Sequence, residues 1–177
     1  MRDVDVGKRM AEEAVLEQVL ESWPAMTERL VTEEWRDDFV QIEGSPDFII
    51  GLDHKAVGVE LAEIRFPEDA WDYYATASHI AWKKHESYMR RGMFANPIAL
   101  ILYCHTLPLF DFRHELAQLG CAEEFSPLGF SEVWVIDFSD EYYSAGHPFR
   151  RADMFCFKPQ VGFGFHRIGD EGRKPYG

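Results

Sequence analysis

Apolar positions recur first at helical spacing. Met10, Ala14, Val15, Val19 and Leu20 fall on one side of a helix, with Glu12, Glu13, Glu17 and Glu21 on the others, which predicts an amphipathic helix over residues 7–22. Pro24 suits the first turn of a second helix running to Arg36, with Met26, Leu30, Val31 and Trp35 as its apolar positions. The period then drops to two. Residues 39–43 alternate as a short strand, and Gly44-Ser45-Pro46 ends it. Residues 47–52 and 56–64 form two further strands, joined as a hairpin by a three-residue loop at Asp53-His54-Lys55.

Helical spacing returns over residues 69–91, opened by Pro67-Glu68-Asp69 and closed by Gly92. The unbroken apolar run 98–104 suits a strand covered on both faces. The order to this point is α-β-β-β-α-β. Beyond it, residues 112–119 are helical up to Gly120, and 133–138 form another buried strand. Residues 154–158 and 162–168, rich in Phe and Gly, form an edge hairpin, and 169–177 a loose polar tail. With no internal repeat, low-complexity tract or linker, residues 1–177 read as one α/β domain.

Composition supports that picture and narrows the function. Hydrophobic residues at 46% and aromatics at 15% supply enough apolar material for one core. The charged start, Met1-Arg2-Asp3-Val4-Asp5, is unlike a secretory signal, and no apolar run approaches the ~20 residues that cross a bilayer, so a cytoplasmic protein without a membrane partner is expected. Cys104, Cys121 and Cys156 lack CxxC spacing and read as reduced core residues. The seven histidines lack zinc-site patterns. A net charge of −13 opposes bulk attraction to nucleic acid and would require a local basic groove for any such binding. Arg90-Arg91, Arg150-Arg151, Lys158, Arg167 and Arg173-Lys174 are the candidates for one, against the plainer reading of scattered solvated charges.

The chemistry concentrates at the hairpin. Hard divalent cations prefer carboxylate oxygens. Asp47 stands at the start of the first hairpin strand and Glu60 in the middle of the second, so the two acids can share an ion. Along that second strand Val59 and Leu61 take one face and Glu60 and Ala62 the other. The alternative is turn chemistry at Pro46-Asp47 and a solvent-facing Glu60.

Ser45-Pro46-Asp47-Phe48-Ile49-Ile50 followed by Val57-Gly58-Val59-Glu60-Leu61-Ala62-Glu63-Ile64 resembles the PD-(D/E)xK phosphodiesterase superfamily. The likeness spans residues 26–104. It implies a restriction-endonuclease-like fold, a mixed β-sheet flanked by helices with core order α-β-β-β-α-β, here with extra C-terminal strands. It also implies Mg²⁺ or Mn²⁺ bound by Asp47 and Glu60. The lysine expected two residues after the glutamate is replaced by Ala62, but some members of the superfamily carry that lysine on the following helix.

The helix over 69–91 offers such a lysine. Counting ~100° per residue from Ala77, a stripe of Ala70, Tyr73, Tyr74, Ala77, Ile80, Ala81 and Tyr88 faces one way with Lys84 near its centre, while Lys83 points elsewhere. A lysine so placed either snorkels to solvent or meets an acid. On the helix expected at 24–36, Glu34 falls among Met26, Leu30 and Val31, and the superfamily often supplies a third metal-binding acid from its first core helix, with Glu33 and the several acids of the earlier helix as alternatives. Asp47, Glu60 and Lys84 are therefore the expected catalytic residues, Asp47, Glu60 and Glu34 the expected metal ligands, and Arg90 and Arg91 the expected contacts to substrate.

The function implied is a Mg²⁺- or Mn²⁺-dependent nuclease acting on DNA or, second, RNA. The rivals are a catalytically inactive nuclease-fold protein serving as a binding or regulatory module and an acidic protein-interaction domain. A homodimer or a protein partner stays open. Other patterns are weaker: Gly162-Phe163-Gly164 reads as a tightly packed strand, Asp137, Asp140 and Glu141 as a solvated turn, and Tyr142 and Tyr143 as packing residues.

Overall fold

In the computed structural model, residues 3–26, 31–35, 46–66, 72–104, 109–119, 122–137 and 150–168 are described. The elements are α1 (Asp3–Met26), β1 (Val31–Trp35), β2 (Phe48–Leu52), β3 (Lys55–Glu63), α2 (Tyr73–Arg90), β4 (Ile98–Cys104), α3 (Leu109–Leu119), α4 (Ala122–Phe125), β5 (Glu132–Asp137), β6 (Arg150–Lys158) and β7 (Gly162–Ile168). The strands form one mixed sheet in chain order, β1 to β7. β3–β4 and β4–β5 are parallel and the other neighbours antiparallel.

Period-2 alternation divides the core between the two faces of this sheet. Val57, Val59 and Leu61 of β3 and Ala99 and Ile101 of β4 face Val15, Leu16, Val19 and Leu20 of α1. Leu100, Leu102 and Cys104 of β4 face the other way, onto Tyr73, Ala77, Ala81 and Tyr88 of α2 and onto α3 and α4. Helices on both faces bury every residue of β4 but the half-buried Tyr103, which is why β4 reads as an unbroken apolar run. The chain is thus α/β, a mixed sheet flanked by helices. Among the described residues no helix is long and apolar enough to cross a membrane.

Several boundaries differ from the sequence reading, most of all near residues 24–36 and at the hairpin loop. No second helix spans 24–36: α1 continues through Pro24 to Met26, and residues 31–35 form strand β1. Val31, Thr32 and Trp35 favour a pleated strand, and an edge strand tolerates the charges of Glu33 and Glu34. The strand expected at 39–43 lies outside the described residues, as do the tail 169–177 and the proposed opening of α2 at 67–69. The hairpin loop has two residues rather than three. Asp53 and His54 both have positive φ, 50° and 62°, the signature of a type I′ turn whose twist matches that of the strands.

α2 is closed at both ends by local chemistry. The Asp72 side chain accepts from the Ala75 N–H at 3.0 Å and caps the start. At the other end Gly92, with φ 64°, donates to the Met89 carbonyl, and the Met93 N–H donates to the Tyr88 carbonyl. Among the described residues the buried cysteines Cys104 and Cys156 form no disulfide, and Gly162-Phe163-Gly164 lies within β7 as a strand segment.

Candidate functional site

The site begins where β2 starts. Phe48 pairs with Val59, and one residue earlier the backbone of β2 stops supplying acceptors. The Asp47 carboxylate takes over: its Oδ2 accepts the Leu61 N–H at 2.8 Å, extending the ladder with a side chain. Pro46 is laid directly over Gly58, where a Cβ would stand 2.7 Å from the proline Cγ. The Pro-Asp pair and the Gly-Val-Glu run are therefore sterically interdependent, because only a residue without a side chain lets Pro46 bring Asp47 onto β3.

Glu60 projects from β3 toward α2, between Val59 and Leu61 that face α1. Only 5% of it is exposed, so the solvent-facing alternative does not hold. A carboxylate so deep in an apolar layer requires donors, and α2 provides two. The Tyr88 hydroxyl donates to Glu60 Oε2 at 2.5 Å, and the Lys84 ammonium pairs with Oε1. Lys84, Tyr88 and Arg91 are spaced i, i+4 and i+7, so they share one side of the helix. Lys83 is exposed and lies on another side.

The environment of Asp47 is hostile to charge. Burial first, then the nearby Glu60, raise its pKa from 3.8 to about 6; the Leu61 N–H bond opposes this, Glu12 adds to it and Lys84 opposes it. α1 contributes to the same corner. Arg9 donates to the Asp47 carbonyl at 3.1 Å and lays its guanidinium 4.3 Å over the Phe48 ring, while Glu12, mostly buried, pairs with Lys8 at 3.4 Å. Tyr88 is pushed above the ordinary tyrosine range, by burial first and then by Glu60, and Arg91 partly offsets this.

Of the residues expected from the sequence, the structure thus brings Asp47, Glu60 and Lys84 together. Glu34 is not on a helix: it belongs to β1, opposite Ile50, three rungs or ~10 Å along the strand from Asp47. The acid that influences Asp47 from the first helix is Glu12, hidden in the sequence because it reads as one more solvated glutamate. Arg90 turns back to the Glu86 carbonyl at 3.3 Å, and Arg91 caps α2 beside Tyr88. Lys158 leaves the basic-groove list, because its ammonium donates to the Ser126 and Leu128 carbonyls and partial burial lowers its pKa. Asp137 is a deeply buried residue of β5 rather than part of a solvated turn; Asp140, Glu141, Tyr142 and Tyr143 lie outside the described residues. Tyr88 was counted only as packing. Its place one turn after Lys84 was the available signal that it shares that lysine's target.

The donor set suits a hard cation. Repulsion between Asp47 and Glu60 is the second cause, after burial, of the raised pKa of Asp47, and a divalent ion would offset that repulsion. Among the described residues no three His, Cys, Asp or Glu side chains gather closely enough to hold a metal, so an ion placed there would have only the Asp47 and Glu60 carboxylates as protein ligands of these types. Comparison of the chain with protein-family models, with curated proteins and with solved structures finds no match.

Proposed function

We propose that this chain is a metal-dependent phosphodiesterase of restriction-endonuclease-like fold that cleaves nucleic acid, DNA before RNA. The observation that carries the reading is the delivery of the Lys84 ammonium from α2 to the buried Glu60 beside Asp47, which restores the cation missing at Ala62. Mg²⁺ or Mn²⁺ bound by Asp47 and Glu60 would neutralise charge on the phosphate and lower the pKa of an attacking water. Lys84, rooted in the packed side of α2, would hold its ammonium beside that water and stabilise the negative charge developing in the transition state. Arg91, on the same side of α2 as Lys84 and Tyr88, is better placed than Arg90 to meet the phosphate backbone.

Incubation of supercoiled plasmid, single-stranded DNA and RNA with the protein and Mn²⁺ tests this reading. Lys84→Ala should lose roughly 10²-fold or more in rate, as removal of a group acting on the transition state does. Lys83→Ala, altering an exposed residue, should cleave like the wild type. Equal rates for both variants would remove Lys84 from the chemistry. A wild type that cleaves none of the three substrates with Mg²⁺ or Mn²⁺ would favour the inactive binding module, a reading supported by the net charge of −13 and by Glu60 already being internally neutralised.

A further inference from the structure

Glu60 presents its two oxygens to partners of opposite character. Tyr88, bonded to Oε2, is 4% exposed and wedged against Phe94 and Phe130, with ring centroids 5.5 and 5.7 Å away. It has nowhere to go. Lys84, on Oε1, keeps 36% of its side chain exposed at the rim, and a four-carbon stem can carry its ammonium into water without unpacking the helix. Charge points the same way. Two carboxylates, Asp47 and Glu60, stand against the single Lys84 ammonium, so the cluster is left negative and attractive to a cation.

Resting on the metal-site reading above, we propose that Lys84 is the resident counter-ion of Glu60, and that a divalent cation enters by displacing it from Glu60 Oε1 while Tyr88 keeps Oε2 fixed. Exchange rather than simple addition follows from the geometry. A cation joining Asp47 and Glu60 needs an oxygen from each, and Oε1 is the only oxygen of Glu60 whose present partner can withdraw. The displaced ammonium stays tethered at the rim, close to where a substrate phosphate would lie. One side chain would thereby neutralise Glu60 before the ion binds and become free for the substrate afterwards. Tyr88 acts as a positioning residue, confining the exchange to a single oxygen.

Calorimetric titration with Mn²⁺ at pH 7.5, where Asp47 is ionised, distinguishes exchange from addition. Lys84→Met removes the competitor and should bind Mn²⁺ on the order of tenfold more tightly than the wild type, since a unit charge a few ångströms away is worth at least that much at a partly buried site. In the Tyr88→Phe background Oε2 is released and Lys84 can keep an oxygen, so the gain from Lys84→Met should shrink to about twofold or less. A merely structural tyrosine would leave that gain unchanged. If Lys84→Met does not fold, carbon-13 NMR of the wild-type lysine side chains replaces it: the Lys84 Cε signal should move with Mg²⁺ and saturate with the site, and a signal that stays still overturns the exchange. Wild type that binds Mn²⁺, loses it in Asp47→Asn and gains nothing from Lys84→Met sinks the exchange alone and leaves the metal site standing. Failure of both wild type and Lys84→Met to bind Mn²⁺ overturns both.

Discussion

Asp47 and Glu60 at β2–β3, and Asp137 and Asp153 at β5–β6, are both pairs of acids gathered on neighbouring antiparallel strands of one sheet. Asp137 and Asp153 are direct partners across the ladder, each 2% exposed. The Asp137 Oδ2 accepts the Leu109 N–H at 2.9 Å, at the first residue of α3, where a helix has amide groups without intrahelical partners and favours negative charge. Tyr73 covers the pair, its pKa driven above the tyrosine range by burial first and then by Cys104, Asp137 and Asp153. A backbone amide in a packed helix cannot leave, whereas a lysine at the surface can. Burial alone therefore does not separate the two pairs; the donors seen at Asp137 and at Glu60 do. Asp137 fastens α3 to the sheet, whereas Glu60 is held in part by a lysine at the surface.

The largest expected effect separates the two pairs. Asp137→Ala should cost about 3 kcal/mol in urea unfolding, because it strands a buried amide and removes a charge-assisted bond, and it should leave Mn²⁺ affinity as it was. Loss of Mn²⁺ binding in a well-folded Asp137 variant would break the comparison, making the second pair a site as well. A smaller effect is expected at Gly58. Its Cβ in Gly58→Ala would approach Pro46 Cγ to 2.7 Å, and a proline ring cannot rotate aside, so the Asp47 segment must shift. About 1–3 kcal/mol should be lost, and on the proposed metal site Mn²⁺ binding should weaken, since overpacking here displaces Asp47. Full stability with unchanged binding would show that the Pro-Asp and Gly-Val-Glu segments do not depend on each other.

Much of this arrangement was legible in the chain. The hairpin, α2, β4 and β5 carry clean periods of two or 3.6 or unbroken apolar runs, because packing on both faces leaves the sequence little freedom. β1 was not legible. Its Glu33 and Glu34 do not alternate, and its strand conformation is set by pairing with β2, a tertiary effect that overrides local pattern. Pro24 signals a helix start but sits in the last turn of α1. At the site, Asp47 and Glu60 stood out by motif and Lys84 by its place on an apolar stripe. Tyr88 did not, because its ring belongs to the core and only its hydroxyl to the site, and Glu12 did not, because an acid on an amphipathic helix looks solvated until its helix is docked.

The smallest expected effect concerns Asp47, and it sharpens the comparison by its sign. Burial first, and Glu60 second, raise this carboxyl from 3.8 to about 6, so between those values the folded protein holds a proton that the unfolded chain has released. Stability must then fall as pH rises through that window, the reverse of an acid held by a favourable ion pair, and the loss persists at neutral pH. Asp47→Asn keeps an oxygen for the Leu61 N–H but cannot ionise. At pH 7.5 it should therefore be more stable than the wild type by about 1 kcal/mol, after discounting a shift of this size for the partial exposure of the group. At pH 3.5 the two proteins should melt alike. Mn²⁺ should raise the melting temperature of the wild type increasingly as pH passes 6, when the ligand loses its proton, and leave that of Asp47→Asn unmoved. A variant less stable than the wild type at pH 7.5 would mean that Asp47 is held by a net favourable partner, as Asp137 is, and the difference between the two acid pairs would vanish. A gain in stability joined to a loss of metal binding is what a residue kept for function and not for folding should show.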